Sequence, residues 1–292
     1  MTLSDLLADA EHQLNAAGVH FGHGTTNAHD EAAWLVLHAL GLPLDTDLTD
    51  SAQSDVTTEQ RASVASLLQK RIESRQPLAY LIGEAWLQGV SFYVDERTIV
   101  PRSLIAEVLA DGSIDAWLDS ETRRVLDLCT GNGSLAVLAA LAWPDVSVDA
   151  ADISADALAV AQINVERHGL EGRIRLMHSD GLTACQGPYD LIVCNPPYVN
   201  QTSLQSLPAE YLAEPGLALD GGEDGMDFIR TMLAAAPEKL GPAGVIVLEI
   251  GHERPHFEAA FPDLSPLWLE TSMGADQVLL LTREMLLADT RR

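Results

Sequence analysis

VLDLCTGNGSLAV, residues Val125 to Val137, is the stretch that decides the fold. A short apolar strand carrying Asp127 ends in the turn Gly131-x-Gly133, and a helix opens directly behind it. Glycines in such a turn let the backbone approach a ligand closely, and the first turn of the helix offers unpaired amides to it. The same arrangement serves dinucleotides, although the third glycine of a full G-x-G-x-x-G is replaced by Ala136. The stretch therefore points to a nucleoside-type ligand on an α/β sheet without saying which one.

Downstream, short apolar runs alternate with helical stretches, as in a parallel sheet covered on both faces. Strands are expected near Arg124 to Cys129, Val146 to Ala151, Ile174 to His178, Leu191 to Cys194 and Val245 to Ile250, with Leu267 to Glu270 and Gln277 to Thr282 as a closing antiparallel pair. Upstream, Leu3, Leu6, Leu7 and Leu14 recur at helical spacing, and Asn27 is placed to cap a second helix whose first turn holds Asp30 and Glu31. A third helix begins with the capping-box pattern Thr57-x-x-Gln60, shows Val64, Leu67, Leu68 and Ile72 along one face, and stops before Pro77. From Leu78 to Val100 aromatic and β-branched residues broken by Gly83 and Gly89 suggest a β-hairpin. The expected organisation is a small helical domain over residues 1–77, a hairpin linker over 78–100 and an α/β domain over 101–292.

The chain has 292 residues, 47% of them apolar, enough for one large core and a smaller one. Its longest apolar runs, Leu135 to Trp143 and Val245 to Leu248, fall well short of the ~18–20 residues a membrane span needs. Met1 to Asp9 carries acids in place of the basic region of a secretory signal, so a cytoplasmic location is expected. Cys129, Cys185 and Cys194 include no Cys-x-x-Cys pair and read as reduced structural residues. Acidic residues outnumber basic ones 43 to 17, a formal net charge of -26. Such a surface repels phosphate backbones and attracts basic proteins, though acidity also serves solubility or a salty cytoplasm.

Three further features carry chemistry. The second expected strand ends near Asp152-Ile153, where a carboxylate can accept hydrogen bonds from two ribose hydroxyls, or else cap the helix that follows Ser154. Asp180, at the end of the third strand, is poised for an exocyclic adenine amine, or simply starts a loop. The fourth strand runs straight into Asn195-Pro196-Pro197-Tyr198. The Asn195 side-chain oxygen and the Pro196 carbonyl can converge on one NH2 group, and neither proline brings an N–H to compete for them. Two rigid acceptors of this kind orient a planar amide or amine nitrogen and lend it electron density, while Tyr198 can present its π-face to a sulfonium charge.

At Asn195 to Tyr198 the sequence resembles the class I S-adenosylmethionine methyltransferases with a Rossmann-like sheet, and within them the protein-glutamine methyltransferases. The resemblance covers nearly the whole chain, through Val100-Pro101-Arg102, the Asp127 to Gly133 loop, Asp152, Asn195 to Tyr198 and Glu214-Pro215. Phe21 to Asn27 with Asp30-Glu31, Phe92 to Arg97 and Cys129 are similar to the branch that modifies ribosomal protein L-three. The resemblance implies that Asp127, Cys129, Thr130, Gly131, Asn132, Gly133, Asp152, Ile153, Asp180 and Asn195 bind the cofactor S-adenosylmethionine. It implies equally that Asn195, Pro196, Pro197, Tyr198, Arg102 and Glu214 hold the substrate glutamine, with Asn195, Pro196 and Tyr198 at the chemistry. Asn132 and Leu135 stand where that branch more often has serine and cysteine, and Gly181 stands where an aromatic or bulky residue often follows the acid.

The reaction so implied is direct displacement, with the glutamine nitrogen attacking the methyl carbon and no metal or covalent enzyme intermediate. His23 and His29 with Asp30 lack a four-ligand spacing, and Asp220 to Gly225 resembles a calcium loop in composition only. The expected partner is a basic ribosomal protein, with no membrane and no stable nucleic-acid binding. Rival readings are a release-factor glutamine methyltransferase, an adenine-N6 methyltransferase, which would need a basic face to hold its nucleic acid, and an inactive relative that chaperones a basic ribosomal protein.

Overall fold

The computed structural model describes residues 2–47 and 55–289. Met1, residues 48–54 and residues 290–292, which the expected ranges 1–77 and 101–292 include, lie outside the described residues. The N-terminal helices start where side chains satisfy their free amides. Thr2 and Asp5 form a reciprocal capping box at α1 (Leu3–Ala17). Asn27 accepts from Asp30 N–H at α2 (Ala28–Leu40), and Thr57 pairs reciprocally with Gln60 at α3 (Thr58–Ser74). Their apolar faces, including Leu6, Leu14, Leu35, Val64 and Leu68, meet in one core.

The expectation for 78–100 needs correction. Leu78–Ile82 is a one-turn helix, α4, entered after Pro77 and closed by Gly83 at φ 70°. The hairpin is confined to β1 (Ala85–Leu87) and β2 (Val90–Phe92). Burial of Leu78 and Ala79 against the first helices outweighs the strand-like composition.

Beyond the short helix α5 (Ile105–Asp111) lies a sheet of β3 (Arg124–Leu128), β4 (Ser147–Asp152), β5 (Ile174–His178), β6 (Tyr189–Cys194), β7 (Leu240–Glu249), β8 (Leu267–Thr271) and β9 (Gly274–Thr282). Its order is β5-β4-β3-β6-β7-β9-β8, parallel except where β9 pairs antiparallel with β7 and β8. Because successive strand residues point to opposite faces, β7 sends Val245 and Val247 into one core and Ile246 and Leu248 into the other. The first core is covered by α5, by α6 (Ser134–Ala142), apolar throughout after Ser134, and by α7 (Ala155–Arg167). The second is covered by α10 (Asp227–Lys239), α11 (Arg254–Ala260) and α12 (Arg283–Asp289). Between β6 and α10 run two single-turn helices, α8 (Gln201–Leu204) and α9 (Ala209–Leu212). The chain crosses outward from β3 to β4 and β5, then returns to β6 on the other side of β3, so the strand order reverses at the β3/β6 pair. The carboxyl ends of these two strands are where such a sheet opens a ligand crevice.

Candidate active site

β3 delivers the chain into its loop with Cys129 in the left-handed region at φ 62°, unusual for a residue with a side chain. The loop is braced from below. Asp127 Oδ2 accepts from Thr130 Oγ1 at 2.5 Å and from Ala136 N–H at 2.9 Å. A Cβ on Gly133 would meet the Ala161 Cβ at 3.2 Å, so glycine there lets α7 approach the loop. Asn164 of α7 ties the loop to the hairpin: its Nδ2 donates to the Asn132 and Tyr93 carbonyls and its Oδ1 accepts from Tyr93 N–H. Burial pushes the Asp127 carboxyl up to about 7, because nothing charged compensates it and its Oδ1 has no partner.

Asp152, at the tip of β4, faces the loop across the crevice. Its Oδ2 accepts from Gly131 N–H and its Oδ1 from Ser154 N–H, both at 2.9 Å. Ser154 itself caps α7 through Ala157 N–H, so Asp152 is not the helix cap. Burial raises its carboxyl above the ordinary aspartate range. Cys129, Gly131, Asp152, Ile153, Asp180, Asn195 and Pro197 line one cavity, roofed by Arg97 to Ile99 and by Pro215, Leu217 and Ala218. Phe228, the second residue of α10, also lines it, with its Cε2 3.8 Å from where a Cβ of Gly181 would be. The aromatic face absent at Gly181 is thus supplied from α10, by a residue that sequence reading did not single out.

Asn195 borders a second cavity as well, together with Pro196, Tyr198, Arg102 and Tyr211. Tyr198 is held on all sides. Its hydroxyl donates to Glu249 Oε1 at 3.2 Å, and the other oxygen of Glu249 accepts from Ser103 Oγ at 2.6 Å and Leu104 N–H at 2.9 Å. A Cβ on Gly221, Gly225 or Gly251 would fall within 2.7 Å of Tyr198 atoms. The turn Asp220 to Gly225 is accordingly a backbone cradle for Tyr198. Burial, and then the neighbouring Glu249, raises the Tyr198 phenol well above its ordinary value, so the hydroxyl stays protonated.

Arg102 reaches the second cavity with its guanidinium 5.3 Å from the centre of the Tyr211 ring. Glu214 grips it through two bonds of 2.6 and 2.7 Å and accepts Val100 N–H at 2.9 Å. Burial alone would raise the Glu214 carboxyl, but the Arg102 charge and the His23 and Arg102 contacts bring it down to about 2. Glu214 lines neither cavity; it holds Arg102, which lines the second. Asp127, Thr130, Asn132 and Gly133 likewise are not among the residues that line the first cavity; they belong to the strand and loop that carry Cys129 and Gly131 into it. Among the described residues no group of His, Cys, Asp or Glu is arranged to hold a metal, and no helix is long and apolar enough to cross a membrane. His29 pairs with Glu11, away from His23.

A sheet of this order, with carboxylates at the tips of β4 and β5 and an Asn-Pro-Pro-Tyr turn leaving β6, defines a methyltransferase of class I. Residues 113–223 match the methyltransferase small domain and residues 5–83 the PrmC N-terminal domain. A methyltransferase from Pyrococcus furiosus (17% identical, TM-score 0.50, 75% of this chain and 96% of that one) and the hMettl16 catalytic domain (14%, TM-score 0.53, 76% and 80%) share the fold. The ribosomal protein uL3 glutamine methyltransferase of Bordetella pertussis is 55% identical over 98% of this chain and 96% of its own. That of Neisseria meningitidis serogroup B is 50% identical over 99% and 95%. The chain belongs to the family of ribosomal protein uL3 glutamine methyltransferases.

Proposed function

We propose that this enzyme transfers a methyl group from S-adenosylmethionine to the side-chain amide nitrogen of a glutamine in ribosomal protein uL3, using two chambers that meet at Asn195. The observation that carries the reading is that Asn195 stands in the wall of both cavities, with Pro197 on one side and Pro196 and Tyr198 on the other. The first chamber fits the cofactor in kind: a carboxylate for a ribose diol at Asp152, an acid for the adenine amine at Asp180, and an aromatic face at Phe228. Behind its wall, Asp127 Oδ1 and Asn132 Nδ2 are a buried acceptor and a buried donor without a protein partner. Bound S-adenosylmethionine supplies an electrophilic methyl group on a sulfonium.

The chain's own residues prepare the nucleophile. Asn195 Oδ1 and the Pro196 carbonyl accept the two amide hydrogens, so the nitrogen lone pair turns toward the cofactor chamber. Tyr198, fixed by Glu249 and the three glycines, walls the amide and excludes water. Arg102 keeps donors free beyond those given to Glu214 and Val100 and serves the substrate backbone. Alkylation makes the nitrogen more acidic, and its proton leaves after the transfer to water or a nearby acceptor, with no dedicated base. The net charge of -26 favours encounter with a basic ribosomal protein and disfavours nucleic acid. A cytoplasmic enzyme that meets its ribosomal-protein substrate there and needs no metal for the displacement is the reading we favour.

Peptide mass spectrometry of uL3 from cells with and without this gene tests the reading. One glutamine should lose its methyl group in the deletion and regain it with the wild-type gene but not with Asn195→Ala. Loss of one preorganised contact of this kind costs roughly 10²–10³ in rate. Methylation that persists in the deletion strain refutes the assignment.

A further inference from the structure

The segment Ala209 to Glu214 is gripped by the N-terminal domain on one side and walls the substrate chamber with the other. On the gripped side Glu210 is fully buried; its Oε1 accepts from His20 N–H at 3.0 Å and Arg71 Nη1 at 3.3 Å and forms an ion pair with Arg75, whose Nε stands 2.9 Å away. Arg71 also donates to the His20 carbonyl at 2.9 Å and to Glu31 at 2.7 Å, which ties this grip to α2 and α3. On the chamber side stands Tyr211, beneath the Arg102 guanidinium.

The loop between α1 and α2 wraps that tyrosine. The His23 ring lies 4.4 Å from the Tyr211 ring, centre to centre, and the His20 ring 5.6 Å. A Cβ on Gly22 would sit 2.9 Å from the Tyr211 hydroxyl oxygen, and Gly22 has φ 134°, so a side chain there would displace the tyrosine. His23 is 3% exposed, neither of its ring nitrogens has a hydrogen-bond partner, and Nε2 stands 3.6 Å from Glu214 Oε2. An imidazole sealed in without a hydrogen bond is unfavourable by itself. Its surroundings are Tyr211 and the carboxylate that aims Arg102, two parts of the same wall.

We propose that His23 is a positioning residue for the substrate chamber: by packing its ring on Tyr211 beside Glu214, the N-terminal domain fixes how the target glutamine is held, beyond any part it has in docking the substrate protein. The inference rests on the two-chamber reading above. The side chain touches no reacting atom. It acts through Tyr211, so its loss should be felt in the protein substrate's KM and not in cofactor affinity.

A double-mutant cycle tests it, with wild type, His23→Ala, Tyr211→Ala and the double variant assayed on purified uL3. His23→Ala should raise the KM for uL3 about ten-fold, the size of coupling usual for residues in contact. Cofactor affinity by calorimetry should stay within about two-fold and kcat should move less than KM. The double variant should be no worse than Tyr211→Ala, and His23→Phe, which keeps a ring on Tyr211, should recover more activity than His23→Gln. Additive effects, equal losses in cofactor and substrate binding, or a His23→Gln superior to His23→Phe overturn the proposal. Should His23→Ala fail to fold, the comparison of Phe with Gln decides. Should wild type label a release factor and not uL3, the substrate assignment fails and the same cycle on that protein decides this inference. Were neither labelled, thermal unfolding of the same four proteins would read the coupling, and its absence would overturn it.

Discussion

Replacing Asp152 by alanine removes the carboxylate that, on the proposed reading, holds the cofactor ribose. In the structure each carboxylate oxygen already accepts one backbone N–H, from Gly131 or Ser154, and retains a lone pair for a ribose hydroxyl. Two charge-assisted bonds contribute about 1.5–3 kcal/mol each, and water entering the vacated space returns part of that. A net loss of ~2–4 kcal/mol, at about 1.4 kcal/mol per ten-fold, weakens binding roughly 30- to 1,000-fold. The effect on folding should be small by comparison, because Ser154 still caps α7. Asp152→Asn, which keeps the shape and one acceptor, should fall between alanine and wild type. The charge matters, so wild-type affinity should also decline in acid, and earlier than an ordinary aspartate would allow, since burial has raised this carboxyl. Titration calorimetry with S-adenosylmethionine is the assay. An Asp152→Ala protein that is folded and binds within about three-fold of wild type (~0.7 kcal/mol) would refute the reasoning.

Three other outcomes follow from particular contacts. Phe228→Ala should weaken cofactor binding about ten-fold by removing the aromatic face beside Gly181, read in the same titration. Gly225→Ala would set a Cβ 2.3 Å from the Tyr198 carbonyl oxygen at a φ of 80°; it should cut turnover far more than cofactor affinity, measured side by side. Asp127 titrates near 7 when folded against an ordinary value of 3.8, so the unfolded chain releases this proton first and stability falls as pH rises between those values. Asp127→Asn should therefore gain in melting temperature relative to wild type as pH goes from 5 to 8; a constant difference would count against it.

Most of the sheet was legible because its strands are buried on both faces and read as short apolar runs. β5 spans the expected Ile174 to His178, and β3 lies within the expected range. Asn27, Thr57 and Gln60 act as helix starts because capping is a local matter of side chain and nearby amide. The sequence of Leu78–Ile82 suggests an extended segment because five residues of this composition fit either structure, and their burial decides. In the candidate site, Asp152 and Asn195 stand out in the sequence at a strand end and a turn, and both line the first cavity. What escaped depends on distant partners: Phe228 enters from α10, Glu214 turns to Arg102 instead of the cavity, and Asn164 joins the hairpin to the loop. No local pattern announces such pairings.

The central claim, methyl transfer to a glutamine of uL3, is tested most directly by supplying the enzyme with methyl-labelled S-adenosylmethionine and, in separate reactions, purified uL3, a release factor and an adenine-containing oligonucleotide. The label should appear on uL3, map to one glutamine, and diminish as salt nears ~0.15 M, where charges are screened beyond about 8 Å. Label on the release factor would preserve the chemistry and contradict the substrate, and label on the oligonucleotide would contradict the account as a whole.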